Sequence, residues 1–281
     1  MVKLVGQIIE NRPIEEGTFE MIVAVPPTFS YLPGQFLHVR VADSYDPLLR
    51  RPLSIAWAAS GRFGLIYRVS GRGMTMLSRK RSGESLDFLG PLGQPYPLRT
   101  DRPRAFLVGG GIGVPPLLGL AEALSEKGIS VTAVIGAQTK DGLLLLDRLQ
   151  PFGKLLVATD DGSVGFAGTA VQCLEERFGS GGERPQESVI YACGPLPMLR
   201  ALDELAQRWR IPGYLSVEES MACGVGACLS CVVLRRGGPG ESGRPQVVRT
   251  CVEGPVFASG ELLWEAWEQP KWWEDTEETP T

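Results

Sequence analysis

Cys223, Cys228 and Cys231 lie in MACGVGACLSC (residues 221–231) with the spacing C-x4-C-x2-C, and nineteen residues separate Cys231 from Cys251. Four thiolates in this order suit a plant-type 2Fe-2S cluster, which they hold as two irons. Gly224, Gly226 and Ala227 let the loop wrap closely and turn backbone N–H groups toward sulfur, where fixed dipoles stabilise the charge of the reduced state. The competing reading is structural zinc in a binding module without redox chemistry. Zinc pairs are usually C-x2-C twice, whereas one such pair is present here, so the spacing favours iron. Cys173 sits in a helical pattern beside Leu174 and reads as an inert buried thiol.

A second candidate is the glycine loop GGGIG, Gly109 to Gly113. It departs from strict G-x-G-x-x-G, but it follows the apolar run RAFLV and opens a helix, so N–H groups and the helix dipole are placed to receive a pyrophosphate. A tight turn that needs glycine only for packing is the alternative. The acidic residue expected about twenty positions later is missing from ISVTAVIG, so a dinucleotide would be held differently from the usual Rossmann mode. His38, the only histidine, reads as a strand residue facing solvent or making a hydrogen bond rather than as a catalytic base.

These residues need elements to position them. Residues 1–98 break into short alternating or apolar runs (VKLVGQIIE, FEMIVAV, QFLHVRV, RPLSIAW, FGLIYRV, ESLDFLG) between Gly, Pro, Asp and Ser clusters, which predicts a small antiparallel β-barrel. From residue 102 to 212 strand-like and helix-like segments alternate, with Pro115 and Pro116 at a helix start and Gly128 at its stop, which predicts a doubly wound α/β domain with a parallel sheet. Residues 213–255 carry the cysteines and a predicted β-hairpin, CVVLRR and QVVRTC around GGPGESG, whose return strand brings Cys251 back to the other three. Residues 256–281 form a Trp-rich acidic tail, whose tryptophans either pack back on the protein or anchor a partner.

Bulk properties narrow the function. The 281 residues suffice for two or three units, and a formal charge of -4 without a basic, aromatic stripe argues against nucleic acid. No apolar stretch reads as a signal peptide or membrane span, so a cytoplasmic protein with no membrane partner is expected, where thiols stay reduced and available to metal.

RPLS (51–54), IYR (66–68), GPLG (90–93), GGGIGVPP (109–116), TDDGS (159–163), YACGP (191–195) and MACGVGACLSC together resemble the electron-transfer subunits of NAD-dependent dihydroorotate dehydrogenases, in the ferredoxin reductase superfamily. The resemblance runs in order over residues 1 to about 255. It implies an FAD-binding barrel at 1–98, an NAD-binding domain at 102–212 and a 2Fe-2S module at 213–255. Arg51, Pro52, Leu53 and Ser54 would hold FAD, Arg51 at the pyrophosphate and Ser54 near the flavin ring, with Ile66, Tyr67 and Arg68 lining it. Gly73 and Met74 stand where the family has Gly-Thr, and Thr75 follows one place later. Gly109, Gly111 and Gly113 would cradle NAD, favoured over NADP, with Asp160, Cys193, Gly194 and Pro195 near the nicotinamide.

The implied role is to pass electrons from the FMN of a separate catalytic subunit, which oxidises dihydroorotate for pyrimidine synthesis, through the cluster and FAD to NAD. The implied assembly is a heterotetramer, two of each chain. No acid–base residue is expected, because a flavin between a hydride carrier and a one-electron cluster does the chemistry. Related reductase subunits of a sulfite reductase, a hydrogenase or a transhydrogenase, and a self-sufficient NADH oxidase, remain alternatives.

Overall fold

A computed structural model of the chain describes residues 2–15, 17–179, 185–237 and 244–268. The first unit is a closed antiparallel barrel made of β1 (Lys3–Glu15), β2 (Thr18–Ala24), β3 (Phe36–Val39), β4 (Arg51–Ala59), β5 (Arg62–Arg68) and β6 (Ser85–Leu92), in the order β1-β2-β5-β4-β3-β6. In β6 burial alternates residue by residue, as a strand with one face on the core requires. Met21, Ile55, Phe63, Leu65 and Phe88 fill the interior. Helix α1 (Gly71–Ser78) closes one end, and Asn11 of β1 finishes it: its Nδ2 donates to the carbonyls of Leu77, Ser78 and Lys80 at 3.1, 3.2 and 2.9 Å. These carbonyls lie at and just beyond the helix C-terminus, where the intrahelical ladder runs out.

The second unit runs β7 (Arg104–Gly110), α2 (Pro115–Glu126), β8 (Ser130–Ala137), α3 (Leu146–Leu149), β9 (Gly153–Thr159), β10 (Phe166–Ala167), α4 (Ala170–Gly179), β11 (Ser188–Cys193), α5 (Leu196–Trp209) and β12 (Gly213–Ser216). A hairpin of β13 (Val232–Arg235) and β14 (Gln246–Arg249) follows, then β15 (Val256–Ala258) and a short α6 (Glu265–Glu268). Seven strands make one sheet in the order β10-β9-β8-β7-β11-β12-β15, parallel except for β15. Helices cover both faces, which is why β11 is buried at every position. The bounds expected for the α/β domain stop at residue 212, although YLSV (214–217) reads as the last strand of its alternation, and 256–258 fall to the tail. Both β12 and β15 extend the α/β sheet, so this sheet and the cysteine module are interleaved in sequence.

The tail begins by packing inward. Trp264 is buried and its Nε1 donates to Asp203 Oδ2 at 2.6 Å, so for this residue the packed-back alternative holds. The side chain of Trp267 and all of residues 269–281, with Trp272 and Trp273, lie outside the described residues.

Barrel and sheet are joined by a continuous apolar seam in which Ala56, Ile66 and Tyr96 pack with Leu117, Leu120 and Leu124 of α2. At Gly119 a Cβ would stand 2.1 Å from Tyr31 Oη and 3.1 Å from the Ala56 carbonyl, so only glycine lets α2 lie this close to β4. A polar lock reinforces the seam. Glu20 of β2, almost fully buried, accepts from Arg148 of α3 at 2.5 Å, Arg12 at 3.1 Å and Trp57 Nε1 at 3.3 Å. Among the described residues, no helix is long and apolar enough to cross a membrane.

Candidate functional site

A cleft of about 660 Å³ opens between the barrel and the carboxyl ends of the parallel strands. Arg51, Pro52, Leu53 and Ser54 of β4 line it, with Ile66, Tyr67 and Arg68 of β5 and Met74 of α1. From the sheet come Ile112, Pro115, Cys193 and Ser216. Two adjacent barrel strands thus bring together the residues that the sequence separates by a turn. Gly73 belongs to the same corner: a Cβ there would lie 2.9 Å from Arg51 Nη2, so glycine leaves the guanidinium its place over the start of α1. An arginine beside a helix N-terminus makes a local anion site.

Three details refine the site. Tyr67 is fully buried and its hydroxyl donates to Asn11 Oδ1 at 2.7 Å, so it braces the barrel and offers the cleft no hydrogen bond. Thr75 Oγ1 donates to the Gly71 carbonyl at 2.9 Å, which turns that hydroxyl to its own helix and leaves Met74 to face the cleft. Asp160 follows β9, which β8 and β7 separate from β11. Three strand spacings, about 14 Å, therefore lie between Asp160 and Cys193, too far for both to border one ring.

The glycines around GGGIG have distinct tasks. Gly111 takes φ +53 and faces open space, whereas a Cβ on Gly113 would lie 2.4 Å from the Cys193 carbonyl oxygen. Gly194 likewise sits where a Cβ would meet Gly110 N at 3.0 Å. Gly109 is packed under Val114, at 2.9 Å from an added Cβ. The two loops at the ends of β7 and β11 therefore touch backbone to backbone, and Cys193 is held at the cleft floor. Burial first, then the Glu218 charge, raise the Cys193 thiol, so it stays protonated at neutral pH.

Sequence reasoning missed Glu218 and Phe36. Glu218 opens into the cleft but is crowded by protein, and desolvation raises its carboxyl pKa. No local motif marks it apart from its position just before the cysteine loop. Phe36 of β3 lines the cleft on one side and packs against Cys231 and Cys251 on the other.

The cysteine loop sits against that barrel wall. Cys223 neighbours Cys228, and Cys251 neighbours Cys231, within hydrogen-bonding reach in each pair. Among the described residues no group of three His, Cys, Asp or Glu side chains forms a single-ion site. Two pairs are the arrangement that two irons need, each taking two thiolates. Cys223 Sγ accepts N–H bonds from Val225 at 3.4 Å and Ala227 at 3.3 Å. Although burial opposes it, the Val225 N–H and the Cys228 thiol and N–H lower the Cys223 thiol to about 6. Burial, then its hydrogen bond with Cys231, raises Cys251 to about 12.

Gly224 and Gly226 take φ +69 and +81, which permits the wrap. Arg249 Nη1 donates to the Gly226 carbonyl at 3.0 Å and pairs with Glu253, and Gln94 of the barrel side donates from Nε2 to the Val252 carbonyl at 3.0 Å. Cys231 and Cys251 are buried, whereas Cys228 is exposed beside Leu229, a left-handed residue at φ +60 with 60% exposure. His38, expected at the surface or in a hydrogen bond, is fully buried, and its Nδ1 lies 3.2 Å from the Cys223 carbonyl.

Residues 218–263 match the family model described as the iron-sulfur cluster binding domain of dihydroorotate dehydrogenase B. The dihydroorotate dehydrogenase B (NAD(+)) electron transfer subunit of Bacillus caldolyticus is 47% identical over 262 residues, 91% of this chain and 96% of that protein. The chain belongs to this family of electron transfer subunits. It is therefore an oxidoreductase subunit, and the zinc-module reading falls. Among solved structures, one described as NADH-dependent reduced ferredoxin-NADP oxidoreductase superposes with TM-score 0.80 at 30% identity, covering 93% of this chain and 91% of that one. A ferredoxin NADP+ reductase from Neisseria gonorrhoeae, solved with bound FAD and NADP, shares the fold at TM-score 0.64 and 14% identity, over 74% of this chain and 91% of that one. The subunit thus has the ferredoxin reductase architecture with a cluster module set into its sheet.

Proposed function

We propose that this chain carries electrons between an FMN-containing catalytic subunit that oxidises dihydroorotate and NAD, with FAD in the cleft and a 2Fe-2S cluster on Cys223, Cys228, Cys231 and Cys251. The observation that carries this reading is the asymmetry of the two cysteine pairs about Phe36. One pair reaches the surface at Cys228, and the other is buried against a ring that also lines the cleft. Electrons arriving from outside meet the exposed pair first, and the buried pair stands on the flavin side.

The residues fit the groups assigned to them. Four thiols in two pairs, with amide donors on Cys223 Sγ, suit two irons and their charge. Arg51, over Gly73 at the start of α1, would hold the FAD pyrophosphate, and Ser54 and Arg68 line the cleft that would take the flavin. Gly111 leaves open the approach to the NAD phosphates, and Cys193 and Gly194 border the nicotinamide. Bound there, a flavin exchanges hydride with a nicotinamide and single electrons with a cluster. The protein supplies position and exclusion of water, so a proton-transfer triad is unnecessary.

The catalytic subunit docks over Cys228, with Leu229, Val232 and Val247 as its exposed apolar contacts. Two copies of each chain form the assembly, in the cytoplasm. Leu229→Asp places a charge at the centre of that face, in a backbone conformation that aspartate tolerates. Loss of a central apolar anchor is expected to weaken capture of the co-expressed FMN subunit about tenfold or more. Iron and FAD content serve as controls. Capture at the wild-type level by an iron-replete variant would sink this docking assignment.

A further inference from the structure

The barrel's one histidine has no part in the function above, yet it is fully buried against the cluster loop. His38 Nδ1 lies 3.2 Å from the Cys223 carbonyl oxygen. A carbonyl only accepts, so Nδ1 carries the proton and donates it. The other ring nitrogen, Nε2, is buried with no hydrogen-bond partner. An apolar residue would leave no such orphan atom, so a polar ring kept here needs a use for the nitrogen that is satisfied.

Contact with the loop is close. Gly224 takes φ +69, and a Cβ on it would lie 2.5 Å from His38 Nδ1, so the ring lies directly against the Cys223–Gly224 peptide. The ring's own strand is rigid. Each of the four residues of β3 is buried, His38 pairs with Pro52 of β4, and Phe36, two residues earlier, pairs with Ser54 at the cleft. The donor is therefore rooted in the barrel's cofactor wall and reaches into a loop from another part of the chain.

We propose that His38 is a positioning residue for the cluster: its Nδ1–H fixes the Cys223–Gly224 peptide, which keeps the Val225 and Ala227 N–H groups aimed at Cys223 Sγ and so sets the reduction potential of a cluster bound there. Hydrogen bonds to the sulfurs are a main determinant of that potential, because they stabilise the added negative charge. When the carbonyl is released the peptide turns, the two amides at 3.4 and 3.3 Å lose their aim, and reduction becomes less favourable. The proposal rests on the family assignment of the cysteine loop. It requires neither a particular partner nor a direction of electron flow.

The test uses the full chain purified without oxygen, carrying its iron and FAD. His38→Asn keeps an N–H donor on the atom equivalent to Nδ1, His38→Gln moves it outward, and His38→Leu removes it. In a redox titration followed by electron paramagnetic resonance, His38→Leu is expected to make reduction about tenfold less favourable, a shift of about 59 mV to more negative potential for one electron. His38→Gln should follow His38→Leu, and His38→Asn should retain the wild-type potential and spectrum. If His38→Leu cannot hold iron, retention of iron by His38→Asn but not by His38→Gln supports the same assignment. An iron-replete His38→Leu with unchanged potential and spectrum overturns it, as does a His38→Asn variant that fails as badly as His38→Leu.

Discussion

The four cysteines are unequal ligands. Cys251 is buried beside Cys231, and its thiol is raised to about 12 by burial and by that neighbour, so without a metal it is protonated. Cys223, at about 6, is the thiol readied for ligation by backbone N–H groups. Cys251→Ser keeps the shape but replaces one soft thiolate of the inner pair with a hard oxygen ligand. Iron analysis on anaerobically prepared protein is expected to fall by at least half, with FAD content near normal because the cleft residues are untouched. Equal iron in variant and parent would remove Cys251 from the ligand set. The spacing of these cysteines was legible in the sequence because ligand geometry depends on residue type and short-range separation. The part played by His38 was not, since 185 residues separate it from Cys223.

Among the elements, the join between β1 and α1 shows how one side chain serves two structures. Asn11 satisfies three carbonyls at the end of α1 with its amide nitrogen and takes the Tyr67 hydroxyl proton with its amide oxygen. Asn11→Leu removes the partner of the buried Tyr67 hydroxyl and the side-chain donor to the Ser78 and Lys80 carbonyls, whereas the Leu77 carbonyl keeps the Lys80 N–H. Each such group costs about 1–3 kcal/mol, and some carbonyls regain water, so a net loss of about 2–4 kcal/mol is expected in denaturant unfolding. A change below about 0.5 kcal/mol would mean that water replaces the amide fully. Strand and helix periodicity predicted the barrel and the α/β domain, but the cap was hidden because it joins positions far apart in sequence. The same limitation left residues 256–258 out of the sheet, because a strand of three residues carries too little pattern to reveal which sheet it joins.

For the molecule as a whole, the angle between barrel and sheet decides whether the two cofactor sites share one cleft. The Glu20 lock is one polar element holding that angle, with Arg148 from the sheet side and Arg12 and Trp57 from the barrel side. Removing one partner of a buried carboxylate leaves charge poorly compensated, an effect of about 1–3 kcal/mol here because Arg12 remains. Arg148→Ala is expected to lower Tm by several degrees and to raise KM for NADH in dye reduction more than it lowers kcat, since it loosens the relative placement of the domains and leaves the cofactor contacts in place. A fall in kcat with KM unchanged would show that the lock acts on the chemical step instead.

The sequence by itself determined the thiolate spacing, the order of motifs and the alternation of elements, all set by chemistry and periodicity within a few residues. Only the tertiary structure decided which cysteine pair faces outward, that Phe36 stands between the inner pair and the cleft, and that a buried histidine from the barrel grips the cluster loop. These depend on packing between strands distant in sequence, where burial and directional hydrogen bonds, rather than local residue type, select the neighbour.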